Sequence, residues 1–125
     1  MRIDQESQNG RIILQPHGAM DSLVYSQFLN AINQIQSQDC QALLIDLTDV
    51  TLVDSMILSG FTLSFRRLHA KGIPMALVNP QPYVLELLSL VKIQKVVPVF
   101  TSLEDAFCSD EHAQPIPENP VHLQA

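Results

Sequence analysis

The adjacent residues Asp54 and Ser55 are the strongest candidates for chemistry in this sequence. They follow a run of buried-strand type, Leu43 to Leu47, and a short polar turn, and they open a segment in which apolar residues recur with helical spacing. Asp is a preferred helix N-cap, so Ser55 would occupy the first helical turn with an exposed hydroxyl beside a carboxylate. That hydroxyl could act as a nucleophile, accept a phosphoryl group, or be only a second polar residue at a helix start.

A serine hydrolase would need a general base and an oxyanion hole close to Ser55. His17, which ends a predicted strand, is the candidate base. The sequence contains no Gly-x-Ser-x-Gly elbow, and a single histidine at a strand end is more often an ordinary polar residue than a catalytic one. We therefore expect a protein that is not an enzyme and has no catalytic residues.

The sequence also lacks the usual patterns of cofactor and metal sites. Its four glycines stand singly, so neither a GxGxxG fingerprint nor a P-loop is present. Cys40 and Cys108 lie far apart without metal-like spacing, and Asp46 and Asp49 match the acidic cluster of magnesium-binding receiver domains poorly. We expect neither a cofactor nor a bound metal.

The composition argues against nucleic acids and membranes as partners. The formal net charge is −6, and the seven Lys and Arg residues are scattered apart from the pair Arg66-Arg67, so no basic stripe could neutralise a phosphate backbone. The N-terminus lacks the apolar run of a secretory signal, and no apolar run approaches the roughly 18–20 residues of a membrane span. We expect a cytoplasmic protein that neither binds nucleic acid directly nor inserts into a membrane.

Apolar periodicity and turn residues predict one small α/β domain over residues 1–108. The predicted strands are Arg2–Glu6, Arg11–Gln15, Gln41–Leu47, Ile73–Val78 and Val96–Phe100, and the predicted helices are Asp21–Gln38, Ser55–Lys71, Pro80–Leu90 and Ser102–Phe107. Asn9-Gly10 predicts a hairpin between the first two strands. The order β-β-α-β-α-β-α-β-α implies a small mixed sheet of four to five strands with about four helices packed against it.

The composition changes after Cys108. Residues 109–125 contain three prolines and three acids but no Lys or Arg, which predicts a disordered acidic tail. The tail is either a solvated terminus or a short linear binding motif.

The second predicted helix carries three distinct faces. A polar face holds Ser55, Ser59, Thr62 and Arg66, a core face holds Leu58, Phe61, Phe65 and Leu68, and a flank between them holds Met56, Gly60, Leu63 and Arg67. Two interpretations of this flank stand side by side. It is a docking surface for another protein, with Gly60 allowing close approach, or it is covered by a neighbouring helix of the same domain.

Several segments together resemble the STAS domain family, whose single-domain members are bacterial anti-sigma factor antagonists. Gly18-Ala19-Met20-Asp21 is similar to the family motif before its first helix, and Leu44 to Val50 leading into Val53-Asp54-Ser55 resembles its central strand and serine site. The segments Lys71 to Pro80 and Val99 to Ala106 resemble its fourth strand and its closing strand and helix. The resemblance covers about residues 2–108.

The resemblance implies a function in signal transduction and transcription regulation. In the family, the serine after that aspartate is phosphorylated by a partner kinase that is also the anti-sigma factor, and Ser55 occupies that position. The resemblance thus implies this kinase and a phosphatase as partners. We expect Ser55 to be the phosphoacceptor and the partner to contact Asp21, Asp54, Met56, Ser59 and Leu63.

The family usually continues Asp-Ser-Ser/Thr-Gly-Leu, whereas this chain reads Asp54-Ser55-Met56-Ile57-Leu58. An apolar residue directly after the serine also suits a second function. In that alternative, the chain is a STAS subunit that docks constitutively on a transporter ATPase or another signalling complex, without control by phosphorylation.

Overall fold

A computed structural model of the protein describes residues 2–36 and 40–108. Its seven strands are β1 (Ile3–Gln8), β2 (Arg11–Pro16), β3 (Gly18–Met20), β4 (Ala42–Asp46), β5 (Val50–Val53), β6 (Met75–Val78) and β7 (Val99–Phe100). The helices are α1 (Tyr25–Gln36), α2 (Ser55–Ala70), α3 (Pro82–Leu90) and α4 (Leu103–Cys108), and a single 3-10 turn covers Ile93–Lys95. The proposed tail, residues 109–125, lies outside the described residues.

The main sheet has five strands in the order β1-β2-β4-β6-β7. Strands β1 and β2 pair antiparallel, and the other three pairings are parallel. Asn9 and Gly10 join β1 to β2 with φ values of 55° and 82°, the left-handed conformations that an Asn-Gly hairpin turn requires. The predicted hairpin and the mixed α/β sheet are both confirmed.

Apolar side chains of the central strands point to both faces of the main sheet. Leu43 and Ile45 of β4 pack into the larger cluster with α1, α2 and α3, whereas Leu44 packs into a smaller cluster with Ala106 of α4. A strand covered on both faces must be apolar at consecutive positions, which explains the near-continuous apolar run in this part of the sequence.

Strands β3 and β5 form a second, two-stranded parallel sheet that the sequence did not predict. Their three and four residues pair only with each other within the described part of the chain, and β5 has the exposed positions Thr51 and Leu52 at its centre. Such short strands carry almost no periodicity. The predicted polar turn is present at Thr48 and Asp49, and the unpredicted strand β5 lies between this turn and Asp54.

Helix α1 begins at Tyr25, later than the predicted start at Asp21. The Asp21 side chain accepts a hydrogen bond from the backbone N–H of Leu23 (3.0 Å), which closes a local turn in place of the first helical turn. Several other boundaries also differ from the prediction by a few residues. For example, α3 begins at Pro82, β6 at Met75 and β7 only at Val99. None of the helices within residues 2–36 and 40–108 combines the length and the apolarity needed to cross a bilayer.

The carboxylate of Asp54 joins the start of α2 to the loop before α1. Its Oδ1 accepts the N–H of Ile57 (3.0 Å) as the helix N-cap, and its Oδ2 accepts the N–H of Ser22 (2.7 Å). Below this joint the two helices pack through Phe28 and Phe61, whose rings meet edge to face with centroids 5.5 Å apart. The start of α2 is thereby fixed against the β3–α1 loop.

We expect Asp54→Ala to lower the free energy of unfolding by about 1–2 kcal/mol, because the substitution removes the cap of α2 and the bond to Ser22 together. Urea denaturation followed by circular dichroism measures this loss. Asp21→Ala is the matched control, since the Asp21 carboxylate accepts its bond from the neighbouring Leu23 rather than linking distant segments. Equal losses for the two variants would contradict the bridging role of Asp54.

Candidate functional site

The β3–β5 pair brings Asp21 and Asp54 together, although 33 positions separate them in the sequence. Met20 is the register partner of Val53 in this parallel pair, so the next residue of each strand leaves the same end of the small sheet at the same level. The bond from the Ser22 N–H to Asp54 then closes the two loops on each other. The outcome is a surface with two neighbouring carboxylates.

Ser55 is the first residue of α2, and it is exposed directly beside Asp54. Asp54 caps the helix, as the sequence predicted, so the Ser55 hydroxyl is not needed for that role. A modifying enzyme can reach such a hydroxyl without unfolding the helix start. The exposed serine and the two carboxylates define the candidate site.

Exposed apolar side chains adjoin this site. Met56 is 44% exposed, and Leu63 on the same flank of α2 is 36% exposed. Leu23, in the turn next to Ser22, is 90% exposed. Leu23 was not among the predicted site residues, and its one signal in the sequence is that it lies off the apolar spacing of the first predicted helix.

The flank of α2 is partly covered by α1 and partly exposed, so each of the two interpretations that the sequence left open holds for part of it. Gly60 is buried, and a Cβ at this position would lie 3.0 Å from Cε1 of Tyr25 in α1. The missing side chain therefore serves packing between α1 and α2, which corrects the suggestion that Gly60 allows close approach of a partner. Met56, Ser59 and Leu63 remain exposed.

His17, the candidate base, is engaged elsewhere by both of its ring nitrogens. Nε2 lies 2.8 Å from Oδ2 of Asp4, and Nδ1 lies 2.8 Å from Oδ2 of Asp49. The hydrogen bond with His17 lowers the pKa of the exposed Asp4 carboxyl below its ordinary value. His17 thus ties β1 to the turn between β4 and β5 and is not oriented as a base for Ser55.

Asp46, at the end of β4, is buried and used internally. Its Oδ1 accepts hydrogen bonds from the backbone N–H of Thr48 (3.0 Å) and from the Thr48 hydroxyl. Residues 2–36 and 40–108 contain no group of three His, Cys, Asp or Glu side chains that could hold a metal ion. These contacts assign Asp46 to the turn that leads into β5.

A shallow groove of about 280 Å³ runs along the polar face of α2. One wall consists of Ser55, Leu58, Ser59 and Thr62, and the other consists of Val91, Lys92, Ile93 and Val96 from the segment after α3. Sequence spacing could not reveal this groove, because its walls lie about thirty positions apart. It brings Ser55 and Lys92 into the lining of one groove.

Solved structures of anti-sigma factor antagonists have the same fold. The antagonist from Mycobacterium paratuberculosis is 21% identical with a TM-score of 0.79, and the match covers 86% of this chain and 92% of the other. SpoIIAA in its unphosphorylated form is 17% identical with a TM-score of 0.70, covering 87% of this chain and 96% of the other.

The Bacillus cell fate determinant SpoIIAA in its phosphorylated form is also similar. It is 15% identical with a TM-score of 0.66, and the match covers 88% of this chain and all of the other. TM-scores of 0.66 to 0.79 at identities this low show a shared fold and no more.

Family membership follows from the sequence itself. A search of curated proteins found no match to the chain. The model of the STAS domain matches residues 2–106, which include both strands of the small sheet, the Asp21 turn and the Asp54-Ser55 helix start. The chain belongs to the STAS domain family.

Proposed function

We propose that the protein is an anti-sigma factor antagonist that binds a serine-kinase-type anti-sigma factor and is switched by phosphorylation of Ser55. The observation that carries the proposal is the exposed Ser55 hydroxyl beside the paired carboxylates of Asp21 and Asp54. In this function the protein is a cytoplasmic binding module and not an enzyme. A phosphatase would restore its unmodified form.

The docking surface in this proposal consists of Asp21, Asp54, Met56, Ser59 and Leu63, with Leu23 at its edge. The exposed apolar members supply area that a partner can bury, at about 25 cal/mol for each Å² removed from water. The carboxylates supply charge that steers a partner of complementary potential. Because the Ser55 hydroxyl lies within this surface, phosphorylation of that one residue would change the charge of the whole contact with the partner.

Phosphorylation of Ser55 would change binding more than folding. A phosphoryl group adds about −1.5 to −2 charges, and the helix dipole stabilises negative charge in the first turn by about 0.3–1 kcal/mol, so the fold should persist. An acidic group of the partner about 5 Å away would be repelled by about 3 kcal/mol for each unit charge at an effective dielectric of 20. Such repulsion weakens binding roughly a hundredfold.

The structural relatives support this switch. SpoIIAA has been solved in both phosphorylated and unphosphorylated forms, and each form has the fold of this chain. A fold that accommodates both states fits a mechanism in which charge at the surface, rather than refolding, controls the partner.

Incubation with ATP and a serine-kinase-type anti-sigma factor from the same genome should add one phosphoryl group to the wild-type protein. Ser55→Ala should abolish the addition, and the matched variant Ser7→Ala, which changes an exposed serine in β1 outside the docking surface, should retain it. Intact-protein mass spectrometry measures the product. Labelling that persists in Ser55→Ala, or its absence when the same kinase modifies another substrate, would contradict the proposal.

A second function is favoured by one specific observation, the exposed thioether side chain of Met56 next to Ser55. Burial of Met56 against a partner would give a permanent apolar contact with no need for phosphorylation. In this alternative the chain is a STAS subunit that docks constitutively on a transporter ATPase or another signalling complex.

The substitutions Ser55→Asp and Met56→Ala distinguish the two functions. Calorimetry would measure the binding of each variant to the recombinant kinase and to the recombinant transporter ATPase. If Ser55 is a switch, Ser55→Asp should weaken kinase binding about tenfold or more, because it adds a charge within the contact. If docking is constitutive, Met56→Ala should weaken ATPase binding about tenfold and Ser55→Asp should have less than a twofold effect. Tyr83→Ala on α3, which likewise truncates a large exposed side chain, is the control outside the docking surface.

A further inference from the structure

We propose that Lys92 holds the phosphoryl group of phosphorylated Ser55 across the groove between α2 and the segment after α3. This inference rests on the proposed function, since it concerns the modified form of the same serine. It assigns Lys92 as a positioning residue for the phosphoryl group.

The groove brings Ser55 and Lys92 together as lining residues. Its volume of about 280 Å³ lies below the 300–1,000 Å³ of pockets that hold drug-sized ligands, so a small group attached to its wall suits it better than a free cofactor. Lys92 carries the only ionisable side chain among the lining residues, and Ser59 and Thr62 add hydroxyls to the same wall as Ser55. An anion that enters the groove therefore meets a cation and hydroxyl groups.

The two carboxylates near Ser55 do not line the groove, so they favour an anion that turns into it. The carboxylate of Asp54 occupies the helix start, where it already accepts the Ile57 N–H, and Asp21 lies in the adjoining loop. A phosphoryl dianion turned that way would face like charge. Turned toward the groove, the dianion faces Lys92.

The backbone fixes the base of the Lys92 side chain at the edge of the groove. Lys92 has φ 57° and ψ 34°, a left-handed conformation, and it forms the corner between α3 and the 3-10 turn. Its N–H donates to the carbonyl of Ser89 (3.1 Å), and its carbonyl accepts the N–H of Lys95 (3.1 Å). Pairing with the phosphoryl group then has to order only the lysine side chain and not the backbone that carries it.

Phosphorus NMR of protein carrying phosphoserine at position 55, installed during translation without any kinase, tests the contact. A nearby cation favours the dianion, so the midpoint of the chemical-shift titration should lie about half a pH unit lower in the wild-type sequence than in Lys92→Met. Lys95→Met is the matched control, because it removes the same charge from the 3-10 turn at a position that does not line the groove. Its midpoint should equal that of the wild-type sequence.

Lys92→Gly provides a second variant in which the fold is not at risk, because glycine adopts the left-handed conformation readily. Its midpoint should match that of Lys92→Met. Equal midpoints for Lys92→Met, Lys95→Met and the wild-type sequence would overturn the inference. Because no kinase takes part in this titration, equal midpoints would not contradict the proposed phosphorylation switch. Failed kinase labelling would contradict the switch, and the titration could still be measured.

Discussion

The geometry of the site depends on the two hydrogen bonds that the carboxylate of Asp54 accepts. One oxygen accepts the N–H of Ile57 and so starts α2, and the other accepts the N–H of Ser22 and so holds the loop before α1. A single side chain therefore sets the position of Ser55 relative to Asp21. Both of its bonds go to backbone N–H groups, so the side chain of Ser55 takes no part in this joint.

Charge around Ser55 is distributed unequally. The carboxylates of Asp21 and Asp54 lie at the end of the β3–β5 pair, and Lys92 lines the groove along α2, which contains no acidic residue. Exposed apolar side chains adjoin the acidic side. A docking surface of this kind combines apolar area for affinity with charge for control, and the exposure of the serine couples the two.

The shared fold at 15–21% identity has a physical basis in the pattern of burial. Buried positions of β4 and β6 demand apolar residues of about the right size, and many combinations satisfy that demand. Exposed residues such as Met56 are under no such packing constraint, so Met56 can differ from the family pattern while the helix that carries it is unchanged.

Local interactions made much of the fold predictable from the sequence alone. The Asn9-Gly10 turn, the cap of α2 by Asp54 and the apolar stripes of the helices depend on residues within about four positions of one another. Such features are readable because the interacting groups are neighbours in the chain. The family motif around Ser55 was recognisable for the same reason.

Contacts between distant segments were decided by the tertiary structure. Pairing of β3 with β5 placed Asp21 beside Asp54, packing of Tyr25 closed Gly60 to a partner, and the turn after α3 placed Lys92 across from Ser55. Parallel strands are joined by long crossovers, so their register and the neighbours it creates leave no local signal. The sequence by itself determined that a serine opens α2 behind an aspartate cap, and the tertiary structure decided which charges surround that serine.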